Sequence, residues 1–160
     1  MRTAIYKADA RLDSGNYRGI TVLPMIEKIF ETAVYNRLQF VNEAFNKKDR
    51  YNGGFMPGMR TSDNMFILHG LTQRQISMGK SLYLCYIDFS RAFDLLSRNI
   101  LFYKIMKGGW CGRVIDTLRD LYNKTHFKVK HNGNLSPPIL QSIGVNQGGV
   151  ASGLLFRKYM

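Results

Sequence analysis

Acidic side chains are scarce in this chain, and no two are adjacent. The eleven are Asp9, Asp13, Glu27, Glu31, Glu43, Asp49, Asp63, Asp88, Asp94, Asp116 and Asp120, against 23 lysines and arginines. The formal charge is +12 and the isoelectric point near 9.9, a balance that favours a polyanionic partner such as nucleic acid or an anionic membrane surface. Cysteine is almost absent. Cys85 and Cys111 have no close spacing, so neither a disulfide framework nor a zinc site is indicated, and a reducing compartment is the natural setting. His69, His126 and His131 are scattered and are not spaced like metal ligands. No apolar run approaches the roughly 18 residues that a membrane span requires. The opening MRTAIYKADARLDSG lacks the apolar core of a signal peptide. A soluble intracellular protein, nuclear or cytoplasmic, is expected. No G-K-[ST] follows the glycine-rich stretch near Gly53, which argues against a nucleotide-hydrolase P-loop.

What is present suffices for one ordinary domain, or part of one: 160 residues with 45% hydrophobic content. Residues 1–15 are polar and read as a flexible or partly extended lead-in, and Asn16 to Leu23 as a short strand that Arg18 opens. Pro24 starts a helix to about residue 45, with Met25, Ile26, Ile29, Phe30, Ala33, Val34, Leu38 and Val41 as its apolar stripe. A charged turn, Asn46 to Arg50, leads into an irregular loop marked by Gly53, Gly54, Pro57 and Gly58. Thr61 or Ser62 then caps a helix to about Ser77, with Met65, Phe66, Leu68 and Leu71 inward. Gly79-Lys80 turns the chain.

Leu82 to Ile87 is a short apolar run rich in strand formers, predicted to be a strand buried on both faces, and Asp88 ends it. A helix follows through Leu95, Leu96, Ile100, Leu101, Ile105 and Met106, ending at Gly108-Gly109, with Trp110 as a packing anchor. Val114, Ile115, Leu118 and Leu121 make a second helix. Thr125 to Lys130 alternates as a strand does, Asn132-Gly133 signals a tight hairpin, and Leu135 to Ser142 returns with Pro137 and Pro138 at a sheet edge. From Arg98 onward the bases Arg98, Lys104, Lys107, Arg113, Arg119, Lys124, Lys128, Lys130, Arg157 and Lys158 face only Asp116 and Asp120, which suggests a phosphate-tracking face.

The run Asp88 to Asp94, DFSRAFD, resembles the first carboxylate motif of the reverse transcriptase palm, D-F-S-[KR]-A-F-D, in the form used by non-LTR retrotransposons. Other matches occur in family order. NYRGITVL is similar to the fingers motif Y-R-P-I, with Gly19 in place of proline. Lys28, Ile29, Phe30, Glu31, Arg37 and Leu38 are in register with K-I-F-E-x-x-x-x-x-R-L. Gly54, Phe55, Gly58, Arg60, Thr61, Asp63 and Asn64 fit Q-x-G-F-x-x-G-x-S/T-x-x-D without its glutamine. Gly144, Val145, Gln147, Gly148, Ser152, Leu154, Leu155 and Phe156 agree with the second palm motif, G-V-x-Q-G-x-x-x-S-P-L-L-F, with Gly153 where proline is usual.

The resemblance implies an α+β right-hand polymerase, incomplete, with fingers in about residues 1–80 and part of an antiparallel palm sheet packed on helices in residues 81–160. It implies an RNA template, a DNA primer and dNTP as partners, no membrane, and Mg2+ as cofactor. On that resemblance Asp88 is the catalytic metal ligand, assisted by the Phe89 carbonyl, and Arg18 grips the triphosphate with its planar fork. Phe93 blocks a ribose 2′-hydroxyl, Gln147 and Gly148 approach the templating nucleotide and primer, and Asp94 holds structure.

Two metals need more carboxylates, which the family takes from a later Ala-Asp-Asp turn, and no acid follows Gly144 to Phe156. The reading is a polymerase fragment; the alternative is a non-catalytic basic nucleic-acid-binding module derived from such an enzyme. The polypeptide alone is expected not to polymerise DNA, and robust magnesium-dependent primer extension by the pure chain would overturn this.

Overall fold

The computed structural model describes residues 1–7, 9–45, 53–110, 112–123, 125–131 and 133–160. The charged turn Asn46 to Arg50, Cys111, Lys124 and the hairpin residue Asn132 lie outside them. The chain forms two compact units, one of residues 1–47 with 91–160 and one of residues 48–90.

In the larger unit the expected lead-in is a strand. β1 (Arg2–Tyr6) pairs antiparallel with β2 (Tyr17–Thr21), with Ile5 opposite Arg18 and Arg2 opposite Thr21. A strand needs a ladder partner for its amides, and the polar first residues supply one for β2. The connection is tied down locally, because the Asp13 carboxylate accepts the Gly15 amide at 2.8 Å and the Tyr17 hydroxyl donates to the Arg11 carbonyl at 2.8 Å. Four residues after β2, α1 (Met25–Phe45) begins where Pro24 predicts it. Only its middle and C-terminal part points inward: Val34 and Leu38 are buried, while Met25, Ile26, Ile29 and Phe30 are exposed, so the expected stripe is half realised.

α3 (Arg98–Lys107) starts later than the apolar pattern from Leu95 suggests, and α4 (Arg113–Tyr122) follows as expected. The predicted hairpin forms as two short ladders. β4 (Val129–His131) pairs with β5 (Asn134–Leu135) across Gly133, whose φ of +81° suits glycine, and β3 (His126–Phe127) pairs with β6 (Ile139–Leu140). Pro137 and Pro138 separate β5 from β6, since neither has an amide to donate. β4 also lies parallel to β1, with Arg2 opposite Val129. The four-stranded sheet, in the order β2-β1-β4-β5, is therefore mixed rather than the antiparallel sheet expected.

The core sits between the helices. Val34 and Leu38 of α1 meet Leu101, Phe102 and Ile105 of α3, Ile115, Leu118 and Tyr122 of α4, and Leu154 and Leu155 of α5 (Ser152–Tyr159), with Trp110 buried among them as expected. Each such aliphatic side chain contributes about 1.5–3 kcal/mol by leaving water.

The smaller unit holds α2 (Thr61–Ser77). Its first turn is closed by the Asp63 carboxylate, which accepts the Arg60 amide at 2.6 Å, so the N-cap is Arg60 rather than Thr61 or Ser62. Its last turn ends in paired bonds from Gly79 to Ile76 and from Lys80 to Gln75, with Gly79 at φ +65°. No residue of α2 is buried, and Met65, Phe66 and Leu71, expected inward, are exposed. Leu82 to Ile87 is likewise not a buried strand. The segment is irregular and open to solvent, with Ile87 79% exposed, and Cys85 is exposed with it. Its apolar, strand-forming character is not enough without a ladder, and no described strand is hydrogen-bonded to it.

These burials make a contrast that urea unfolding can check. Leu118→Ala, at a site with 0% exposure, is expected to cost about 2–5 kcal/mol, and Leu71→Ala on α2 no more than about 0.5 kcal/mol. Equal costs would contradict this core.

Candidate nucleotide and nucleic-acid site

The end of the first carboxylate motif and the start of the second palm-like motif are joined by backbone. Val145 donates to the Phe93 carbonyl at 2.9 Å and Gly144 to the Leu96 carbonyl at 2.8 Å. The approach is so close that a Cβ on Gly144 would stand 2.5 Å from the Asp94 oxygen and 2.7 Å from that of Phe93; φ is +77°, and only glycine fits. The Phe93 ring stacks on Phe156 of α5 with centroids 4.7 Å apart, which fixes it.

Three residues further, the same loop meets the strand that carries Arg18. The Thr21 amide at the end of β2 donates to the Gln147 carbonyl at 2.8 Å, and a Cβ on Gly148, at φ +117°, would lie 2.6 Å from the Thr21 oxygen. Arg18 is exposed, Gln147 half-buried and Gly148 exposed. Phe93, Gln147, Gly148 and the strand bearing Arg18 thus belong to one hydrogen-bonded assembly.

Two arginines brace it. Arg2 reaches Asp94 at 3.3 Å, donates to the Thr21 hydroxyl at 3.2 Å and lies 4.4 Å over the Phe127 ring. Asp94 is therefore engaged in structure, as expected. Arg98 is half-buried, and its guanidinium is engaged by backbone carbonyls rather than presented on a phosphate-tracking face. Its guanidinium donates to the carbonyls of Gly144 at 2.8 Å, Tyr122 at 2.7 Å and Gln141 at 2.7 Å, and burial lowers its pKa. Arg157 is buried, which removes a second base from that face.

A buried carboxylate completes the loop. Glu31 of α1 has 0% exposure, and its Oε2 accepts the Val150 amide at 2.7 Å. Burial pushes its carboxyl above the ordinary range, the Val150 bond opposes that, and the Glu27 charge adds to it.

Asp88 and Phe89 belong to the smaller unit, where both are exposed. One exposed carboxylate does not hold a divalent ion by itself. Among the described residues no group of three or more His, Cys, Asp or Glu side chains converges as a metal centre would require, so these residues do not complete a site for the expected Mg2+.

The family model for reverse transcriptase (RNA-dependent DNA polymerase) matches residues 5–160. The chain belongs to the reverse transcriptase family. It is 28% identical over 151 residues to the transposon TX1 uncharacterized 149 kDa protein of Xenopus laevis, covering 94% of this chain and 11% of that protein. It is 27% identical over 150 residues to the probable RNA-directed DNA polymerase from transposon X-element of Drosophila melanogaster, covering 92% of this chain and 16% of that protein. It is 24% identical over 150 residues to the RNA-directed DNA polymerase from mobile element jockey of Drosophila funebris, covering 91% of this chain and 16% of that protein. This is a reverse transcriptase domain of the non-LTR retrotransposon type, and it spans 11–16% of the length of these relatives. No helix among its described residues is long and apolar enough to cross a membrane.

Sequence reasoning on this reverse transcriptase domain missed Arg2, Glu31 and Arg98 as organising residues. Glu31 carried a legible signal, because it precedes Val34 by three positions and Leu38 by seven, on the stripe that enters the core. Arg98 carried none, since three carbonyls distant in sequence cannot be read from its neighbours.

Gly148→Ala would push a methyl into the Thr21 carbonyl at a backbone angle closed to alanine. Loss of Thr21 amide protection in hydrogen exchange and a stability cost above about 1 kcal/mol are expected. Unchanged protection would show that the loop has another resting geometry.

Proposed function

We propose that this domain is the fingers and partial palm of an RNA-directed DNA polymerase that receives an RNA template, a DNA primer and a dNTP. The observation that carries the reading is the 2.8 Å bond from the Thr21 amide to the Gln147 carbonyl, which joins the strand bearing Arg18 to the Gln147–Gly148 loop. In this reading Arg18 grips the triphosphate through paired donors, and Gln147 with the bare backbone of Gly148 approaches the templating nucleotide and primer. Phe93, immobilised on Phe156, blocks a ribose 2′-hydroxyl. A blocking ring needs such fixation, since a mobile one would yield. Asp88, with the Phe89 carbonyl, supplies part of the ligand set for Mg2+, a hard cation that takes oxygen donors. A divalent ion held there would supply charge neutralisation at the transferred phosphoryl group.

The second reading is a basic nucleic-acid-binding module without the chemistry. It is favoured by the +12 charge together with the lack of a converging carboxylate group among the described residues.

Fluorescence anisotropy with a recessed RNA–DNA template–primer across a salt series separates the two. Binding should weaken linearly in log salt in either case. For a polymerase site, a matching dNTP with Mg2+ tightens the complex, and Arg18→Ala and Asp88→Ala abolish that gain, by about tenfold or more for Arg18, while leaving binary binding intact. No dNTP gain, with Asp88→Ala binding like the unmodified chain, supports the module. Salt-independent or absent binding defeats both.

A further inference from the structure

Glu31 is a charged residue with 0% exposure in the core face of α1, and removing a carboxylate from water is costly unless it does something there. A hydrophobic residue at that position would continue the stripe of Val34 and Leu38. The carboxylate instead reaches the loop between Gly148 and α5. Its Oε2 accepts the Val150 amide at 2.7 Å, and the Ala151 amide also acts on the carboxylate. The loop is packed to the limit against it, for a Cβ on Gly149 would stand 2.6 Å from Ser152 Oγ and 3.2 Å from Glu31 Oε2. Oε1 has no hydrogen-bond partner among the described residues, so the carboxylate is held by this one end of the loop.

We propose that Glu31 is a positioning residue: by accepting the Val150 amide, its buried carboxylate sets the conformation of the Gln147–Gly148 loop and so the fit of that loop to a nucleic-acid strand. This rests on the polymerase reading for the words nucleic-acid strand, but not for the control of the loop. The groups around the carboxylate are few. Glu27 lies on its own helix, Tyr122 faces it from α4 with Arg98 acting on that phenol, and Ser152 stands at the start of α5. Burial raises the Tyr122 phenol far above its ordinary value, so it stays neutral while Glu31 titrates.

Two pH effects of opposite sign follow, and they distinguish positioning from mere packing. A carboxyl whose pKa is higher in the fold than in the unfolded chain binds more protons in the fold. Its contribution to global stability is fully present below the ordinary carboxylate range and is lost as pH rises through the raised value. The bond to Val150 goes the other way, because a carboxylate is the stronger acceptor. Raising the pH through this window should therefore lower global stability while increasing loop order.

Hydrogen exchange on the nucleic-acid-free chain across a pH series tests this. Protection factors at Val150 and Ala151 are expected to rise with pH while those of core amides such as Leu118 fall. Glu31→Gln, which keeps an acceptor without the charge, should remove the pH dependence at both places. Glu31→Ala should lower protection at Val150 by about tenfold or more beyond any change at Leu118. Equal loss at Val150 and Leu118 would overturn the proposal, and so would a pH profile at Val150 that Glu31→Gln leaves unchanged. Should Glu31→Ala fail to fold, Glu27→Gln decides: removing that like charge must move the Val150 midpoint to lower pH, and an unmoved midpoint overturns the proposal. Template–primer anisotropy is read separately. If the unmodified chain shows no binding, the polymerase reading fails while loop control by Glu31 stands; if it binds and Glu31→Ala binds equally well, the link from loop to nucleic acid is overturned.

Discussion

One guanidinium closes the larger unit. Carbonyls from the end of α4, the end of β6 and the loop at Gly144 converge on Arg98, three acceptors whose partial negative charges would repel one another and demand water if left alone. A planar cation with five donors is the side chain that can meet them together. The cost is desolvation, visible as the lowered pKa. The gain is that segments far apart in sequence are held at one point: the start of α3, the start of the second palm-like motif and the exit of the hairpin. Remove the guanidinium and several buried carbonyls lose their donor at once.

The glycines of the second motif make sense only within that closure. With Gly144 fixed by Arg98 and by the hydrogen bond from its own amide to the Leu96 carbonyl, the chain must pass the backbone of Phe93 and Asp94 at a separation that admits no side chain. At Gly148 the same constraint recurs against Thr21. The two contacts are consecutive steps of one loop threaded between the carboxylate-motif turn and β2. Glycine is present there for the space and the positive φ it allows, and the entropy lost on ordering it is offset by the backbone hydrogen bonds on either side.

What was legible in the sequence divides along local and non-local lines. The helix after Pro24, α4, the hairpin ending at Gly133 and the burial of Trp110 depend on neighbours within a few residues, and they form where the pattern puts them. The family was legible too, and the reverse transcriptase family model matches residues 5–160. The strand at Arg2–Tyr6 was not, because Thr3, Ile5 and Tyr6, though strand formers, make too short a run to stand without the pairing with β2 and β4. Leu82 to Ile87 failed in the opposite sense: the composition is right for a strand, but no described strand supplies hydrogen bonds to its backbone. Arg98 was placed on the wrong face since a count of charges cannot tell a solvated base from one that serves carbonyls.

That contrast bears on how the chemistry is distributed. Arg18, Phe93, Gln147 and Gly148, to which the proposed function gives the nucleic acid and the triphosphate, all sit in the larger unit, where backbone hydrogen bonds and the helical core hold their segments. Asp88 sits at the end of a segment in the smaller unit whose backbone is irregular and whose apolar side chains are in water. A metal ligand is useful only if held within about half an ångström of its working position, and such precision comes from a packed second layer, not from the carboxylate itself. On the proposed reading, Asp88 would gain such a layer if Leu82 to Ile87 paired as a strand, since that segment, apolar on successive residues, is suited to burial on both faces. On that reading, strand formation there and completion of a metal site go together, whereas the conformation of the Gln147–Gly148 loop is already held by backbone contacts within the larger unit.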